Sequence, residues 1–597
     1  MRLSVGQRLA LGIAWLLQRW RPWHQQPKLL GLFSLLAIRM RLRQLNLHDT
    51  SLLAVPEDLD GPAPTAEQRS ARAPDGRYND LESPGMGAAG SRFGRNVPFW
   101  ASSTDGEPKL TSPSPREVSR RLLARGDQMA EVPFLNLLAG AWIQFQIHDW
   151  VSHGKNQRDN HIELPLEDGD DWHENPMRIR RSPHDPTRVT GGGPAAFDNT
   201  ETHWWDGSQL YGSSAEALSE LREGAGGRLA MGDDGLLPVN EAGVDKTGVT
   251  GNYWLGLSAL HTLFVHEHNA IADMFTSKHP DWSDDRLFNQ ARLVNAALMA
   301  KIHTIEWTPA ILPHPTTVAA MNANWYGLFG SKRMAKLLRR FSRSDVFIGI
   351  PGSRVDHHGA PYTLTEEFVS VYRLHPLIPD EIVVRSRANH EVTATPTLIE
   401  ASEAGSRALM QNHGLEDVLY SFGVAHPGML QLGNFPNTLR TLTRPDGWKL
   451  DLAAVDVMRD RERGVPRYNQ FRELIRMPKV SSFEELVGGD PELAAKVSAL
   501  YQGVDDVDLM VGLYAEPLLE GFGFSETAFR IFVLMASRRL KSDRFFTDDY
   551  RPEVYTPEGI RWVEDTGMRD VVLRHAPSLS PALAGVQNAF APWAKAG

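Results

Sequence analysis

The sequence predicts a mainly α protein: one large helical domain preceded by helices that contact a membrane. Three observations carry this. Apolar residues recur at three- and four-residue spacing for five or more turns in LSALHTLFVHEHNAIADMF (257–275) and DDRLFNQARLVNAALMAKIHTIEW (284–307), the period of helices with a buried stripe. Strand-like alternation is brief, and residues 116–597 show neither an internal repeat nor a composition break, so they read as a single domain. The first fifty residues differ in charge from the rest: eight Lys/Arg and one acid, Asp49, give +7, against −17 for the remainder and −10 overall.

Within residues 1–50 the apolar runs LALGIAWLL (9–17) and LLGLFSLLAI (29–38) are each about half of the ~20 residues a bilayer span needs. QRWRPW (18–23) offers no small-residue cleavage site, which argues against a signal peptide. Trp15, Trp20 and Trp23 are interleaved with Arg8, Arg19, Arg21, Lys28, Arg39, Arg41 and Arg43. Short apolar faces, indoles and flanking cations suit a helix pair lying in a membrane surface; the alternative is a basic hairpin docked on the protein's own body. Residues 51–115 are rich in Pro, Gly and Ser and lack helical periodicity. FGRNVPFW (93–100) is too aromatic for a solvated tether, so this stretch reads as an irregular segment wrapped on the body. Helices are then expected in PREVSRRLLAR (115–125), FLNLLAGAWIQFQIHDWVSH (134–153), the two long segments above, GGDPELAAKVSALY (488–501) and ETAFRIFVLMASRRL (526–540).

Composition excludes several functions. With 42% hydrophobic and 9% aromatic residues the chain is not disordered, and 597 residues suffice to enclose a large cofactor. The absence of cysteine removes disulfides, thiolate nucleophiles, iron–sulfur clusters, zinc ribbons and thiolate-ligated haem. The acidic balance argues against nucleic acid as a partner. Among 21 histidines, two have unusual contexts. His148 sits on an apolar helix with Gln144 one turn earlier on the same face. His375 lies in YRLHPLIPD, three residues after Tyr372 and just before the helix-breaking Pro376. By spacing alone either could be a hydrogen-bonded core residue, a ligand or a catalyst. In THWWDGS, Thr202, Asp206 and Ser208 alternate with Trp204, so a loop could turn several oxygens toward a hard cation, with Asp149 as a second carboxylate. Calcium takes 6–8 such oxygens; an Asx or Ser turn is the plainer reading.

Taken together, IHDW, THWWDGSQLYG, LFVHEHN, KIHTIEWT, YRLHPLIPD, RDRERGVPRYNQFR and ASRRLKSDRFF resemble the fatty-acid alpha-dioxygenases of the animal-type haem peroxidase and cyclooxygenase superfamily, in order from about Tyr78 to Phe546. The N-terminal segment is also similar to that family's membrane-contacting helices. The resemblance implies haem b ligated by His375, His148 as the distal acid–base residue with Gln144 beside it, and Tyr372 as the radical-forming tyrosine. It implies a calcium site from Asp149, Thr202, the Trp204 carbonyl, Asp206 and Ser208. His303 and Thr308 would hold the fatty-acid carboxylate with an arginine of ASRRL, either Arg538 or Arg539; adjacent helical residues point about 100° apart, so one faces the substrate.

The activity implied is oxygenation at C2 by a tyrosyl radical, with hydrogen peroxide as activator. The 2-hydroperoxy acid then decarboxylates to a shortened aldehyde. A monomer associated with the cytoplasmic membrane surface is expected. His266 in VHEHN is assigned no role, and 390–432 matches loosely, leaving chain-length preference open. Two other readings stand beside this one. A haem peroxidase oxidising small reductants would have no need of KIHTIEWT and ASRRL. A membrane-surface scaffold with a vestigial haem pocket would have no need of intact Tyr372, His148 and His375.

Overall fold

The basic N-terminus folds as a helical hairpin, α1 (Val5–Trp20) and α2 (Lys28–Leu45). The computed structural model describes residues 5–50, 62–102, 107–183, 196–444 and 446–596, and among these no helix is long and apolar enough to cross a membrane. α1 exposes Leu9, Ile13, Trp15, Leu16 and Trp20. Trp23, in the turn, departs from the expectation of an interfacial indole. It is fully buried, its Nε1 donates to Glu526 at 3.1 Å, and its ring stacks on Phe529 at 5.3 Å. Trp23 therefore pins the hairpin to the body. α2 comes so close to its neighbours that a Cβ on Gly31 would lie 2.9 Å from the Trp23 carbonyl.

Residues 62–102 are mostly turns, held on the body by bridges from His48 to Arg95, Arg92 to Asp198 and Gly94 to Thr365. Buried ion pairs add to this: Arg95 with Glu367 at 2.7 Å and Arg72 with Asp543 at 2.9 Å. The parts of 51–115 at 51–61 and 103–106 lie outside the described residues.

The centre is built from α3 (Leu137–Trp150), α4 (Leu255–Lys278) and α5 (Asp284–Ile302). Asn136 caps α3 by accepting from the Ala139 N–H at 3.2 Å, and Ser283 caps α5 with Asp284 and Asp285 in its first turn, both favourable at a helix N-terminus. α4 is buried around most of its circumference, His261 and His268 included. After Ile302 the chain does not stop: a π-helical turn, His303–Trp307, runs into a last helical turn, Thr308–Ile311. Such turns shift side chains out of the regular register.

Further along come α6 (Pro315–Tyr326), α7 (Lys332–Leu338), α8 (Glu366–Val371), α9 (Ala404–Val424), α10 (Leu452–Glu462), α11 (Glu526–Ser542) and α12 (Pro552–Asp565). α2 lies on α6 and α11. Strand structure among the described residues is limited to three two-stranded antiparallel ribbons, the longest pairing His161–Leu164 with Met177–Arg180.

Candidate active site

α8 delivers the first two candidate side chains. Thr365 caps its start, Tyr372 closes its end, and Pro376 directs the following 3-10 turn, His375–Leu377. Arg373 between them turns away to Asp456 (2.6 Å) and Asp460 (3.3 Å) of α10, and its carbonyl accepts from the Tyr514 hydroxyl. The loop is thereby clamped. His375 Nδ1 lies 2.8 Å from the Asp456 carboxylate, a close contact out of line for a full hydrogen bond. Its Nε2 has no partner among the described residues. An imidazole whose Nδ1 faces a carboxylate presents Nε2 as a metal ligand of raised basicity, so these residues fit a histidine-ligated haem.

His148 occupies the last turn of α3. It is buried with Nδ1 unpartnered, and burial pushes its pKa down to about 4, so it is a neutral base near pH 7. α3 runs past the His375 turn: a Cβ on Gly140 would lie 3.4 Å from the Leu377 carbonyl. Gln144, one turn before His148 on α3, accepts from Trp254 Nε1 at 2.8 Å and donates to the Asn252 carbonyl at 3.3 Å. Gln146, about 200° around the helix from His148, is fully buried and accepts from Trp205 Nε1 at 2.7 Å, which ties α3 to the THWWDGS loop.

Tyr372, His303, Thr308 and Arg539 line one small cavity, with Trp205 and Phe368 in its walls. The two arginine candidates part company here. Arg538 donates to the carbonyls of Ala360 (2.9 Å), Pro361 (2.8 Å) and Thr363 (3.2 Å), which commits it to a neighbouring loop and takes it off the cavity wall. Arg539 is buried over the rings of Trp150 (3.8 Å), Trp205 (4.5 Å) and Phe368 (5.5 Å), and its Nε and Nη2 have no partner. A desolvated guanidinium with two open donors, set among π-faces with the Tyr362 hydroxyl and the Asp149 carboxyl nearby, is ready for an anion. His303 Nδ1 accepts from Trp142 Nε1 at 3.2 Å, which places its own proton on Nε2. Burial, reinforced by Arg539, holds it well below the usual histidine range, hence neutral. The π turn brings the Thr308 hydroxyl within 2.8 Å of the His303 carbonyl. Burial raises the Tyr372 phenol, so it stays protonated.

The THWWDGS loop returns beneath α3. The Ser208 N–H donates to Asp149 at 2.6 Å and its hydroxyl to the Asp149 carbonyl at 2.9 Å. Asp149 Oδ2, Asp206 Oδ1 and Thr202 Oγ1 are buried without partners. Burial pushes both carboxyls up, Asp149 further so because Asp206 is near. Arg292 reaches Asp206 only at 3.5 Å. Trp204 is buried, stacked on Tyr362 at 4.6 Å. Two carboxylates with hydroxyls and no nitrogen donor suit a hard, oxygen-preferring cation. Among the described residues no group of three or more His, Asp or Glu suited to a metal occurs, so a site here depends on hydroxyl and carbonyl oxygens.

The sequence profile of the animal haem peroxidase family matches residues 71–589. The chain is 38% identical to Alpha-dioxygenase PIOX of Oryza sativa over 96% of this chain and 93% of that one. It is 37% identical to Alpha-dioxygenase 2 of Arabidopsis thaliana over 96% and 91%. The chain belongs to the alpha-dioxygenases, within the animal haem peroxidase family. The crystal structure of Oryza sativa fatty acid alpha-dioxygenase, in a tyrosine-to-phenylalanine form with palmitic acid, superposes on this alpha-dioxygenase with a TM-score of 0.90 at 36% identity, covering 99% and 98% of the two chains. The Arabidopsis thaliana fatty acid alpha-dioxygenase superposes at 0.89 with 35% identity, covering 99% and 93%. The predicted mainly α, haem-peroxidase-like domain is thus the observed one, and the protein is an oxidoreductase.

Proposed function

We propose that this alpha-dioxygenase adds dioxygen at C2 of a fatty acid, giving a 2-hydroperoxy acid that loses CO2 and water to an aldehyde one carbon shorter. The observation carrying this reading is the cavity that joins Tyr372 to Arg539, His303 and Thr308. It shares Met321, Asn324 and Ala536 with a larger apolar groove whose walls include Leu35, Ile350 and Phe532. A carboxylate on Arg539 accepts from His303 Nε2, and from the Thr308 hydroxyl once that hydroxyl turns from the His303 carbonyl; this sets C2 beside the phenol, and the alkyl chain extends into the groove. Fixing the head group in this way selects the carbon next to it.

His375 would hold haem b, which when bound would supply one-electron oxidising power drawn from hydrogen peroxide. His148, neutral and unpartnered at Nδ1, takes a proton from the peroxide and returns it to the departing oxygen. Tyr372 gives up its hydroxyl hydrogen. The resulting phenoxyl radical takes hydrogen from C2, restoring O–H and breaking C–H. Dioxygen joins the C2 radical, and the peroxyl group recovers a hydrogen from Tyr372. Calcium bound by Asp149, Asp206, Thr202, Ser208 and the Trp204 carbonyl would tie the loop to the end of α3 and so fix His148. The exposed face of α1 supports contact with a membrane surface, from which such substrates partition.

The test is purified protein with palmitate and oxygen: oxygen uptake and a C15 aldehyde are expected. Peroxide-driven oxidation of a phenol without uptake on palmitate would return the peroxidase reading instead.

A further inference from the structure

The groove opens between α2, which contributes Leu32, Leu36 and Arg39, and the segment 328–347, which contributes Leu328 and Val346. That segment, LFGSKRMAKLLRRFSRSDVF, exposes Phe329 (57%), Leu337 (47%), Phe341 (82%) and Phe347 (45%). Scattered exposed apolar residues are ordinary, but several large ones on one short stretch mark a contact surface. The charges separate into two sets. Lys332, Arg339 and Arg343 turn to the body and meet Asp565, Glu564 (3.6 Å) and Asp548 (2.5 Å). Arg333, Lys336 and Arg340 are exposed, with no anionic partner among the described residues. Ala335 is buried on the inner side of α7, so the element is seated, with one face left open. Exposed rings beside unpaired cations complement an anionic lipid surface, where rings enter the interface and cations meet headgroups.

We propose that residues 328–347 form a second membrane-docking element, which binds an anionic bilayer and, with α1 and α2, brackets the opening of the groove. Docking on both sides of the opening lets an acyl chain pass from lipid to groove without crossing bulk water. That use rests on the fatty-acid reading above; the docking itself is measured without turnover.

The experiment uses full-length holoenzyme with vesicles of phosphatidylcholine, with and without one-quarter phosphatidylglycerol. The triple variant Arg333→Gln, Lys336→Gln, Arg340→Gln removes only exposed, unpaired charge. Its partition onto the anionic vesicles should fall on the order of 100-fold, from about 1 kcal/mol per basic residue at such a surface. Its turnover of octanoate, a soluble acid, should match the parent. Amide hydrogen exchange of the parent should show vesicle-dependent protection in 328–347 as well as in the N-terminal hairpin. Parent-like binding by the triple variant, or protection confined to the hairpin, overturns the proposal. Failure of the parent to oxidise octanoate or palmitate would instead overturn the dioxygenase reading and leave these binding results to stand by themselves.

Discussion

Replacing Arg539 with Gln tests the carboxylate clamp, and the structure sets the scale. The guanidinium has two unpartnered nitrogens and no carboxylate within ion-pair distance among the described residues. An arriving fatty acid supplies the missing charge in a desolvated site, where breaking such a pair costs about 2–5 kcal/mol. His303 and Thr308 remain as donors, so about 3 kcal/mol is expected. That corresponds to a fall of roughly 150-fold in kcat/KM for palmitate. Arg538→Gln is the control. It strips three carbonyls of a donor, each loss costing about 1–3 kcal/mol, and so should lower Tm while leaving the folded enzyme's kcat/KM within a few-fold of the parent. The assay is oxygen uptake with palmitate and with its methyl ester, alongside calorimetry. The parent should discriminate strongly for the acid, and Arg539→Gln should erase most of that preference. Palmitate turnover by Arg539→Gln within threefold of the parent, or equal use of ester and acid by the parent, refutes the clamp.

Tyr372→Phe keeps the ring packed on Phe368 at 4.4 Å and leaves the His375–Asp456 contact in place; a normal Soret band and peroxide reactivity with no aldehyde are expected, and continued aldehyde formation at the parental rate would require another oxidant. A calcium chelator should lower Tm by several degrees in the parent and little in Asp206→Ala, and identical shifts in both would place the cation elsewhere or nowhere. His261 and His268 of α4 are pushed down to about 3 by burial, so the folded protein refuses protons that the unfolded chain accepts below pH 6.5. Their contribution is whole above that pH and declines as pH falls toward 3, by about 2 kcal/mol each at pH 5; a Tm unchanged between pH 7 and pH 5 would contradict it.

Much of this was legible in the sequence because it depends on local pattern. Apolar spacing located α3, α4, α5 and α11, and chain order carried Tyr372 and His375 into one turn. The remainder depends on partners far along the chain. Nothing local separates Arg538 from Arg539; the loop carbonyls at 360–363 decide it. Trp23 shares its cationic setting with Trp15 and Trp20, and it is α11, about five hundred residues later, that draws it inside through Glu526 and Phe529. Gln144 lies one turn from His148, as its spacing implies, but the partner that fixes its side chain, Trp254, is over a hundred residues away. Asp456 carried a faint signal, since DVMRD places acids one turn apart at 456 and 460, the spacing at which both can face the same loop.

The stack of Arg539 on Trp150 has an electronic consequence. Trp150 lies 5.9 Å from Tyr372, ring to ring, and Trp205 lies 5.3 Å beyond it, so in the mechanism proposed above an electron vacancy on the tyrosine would have a ready path into the indoles. A fixed positive charge 3.8 Å from the first ring raises the cost of leaving a vacancy there by about 4 kcal/mol at an effective dielectric of 20. Trp150 Nε1 also has no acceptor, so the indole cannot lighten that cost by shedding its proton. The bias is strongest while no carboxylate neutralises Arg539, which is also when Tyr372 has no C–H bond to attack and leakage would do the most damage.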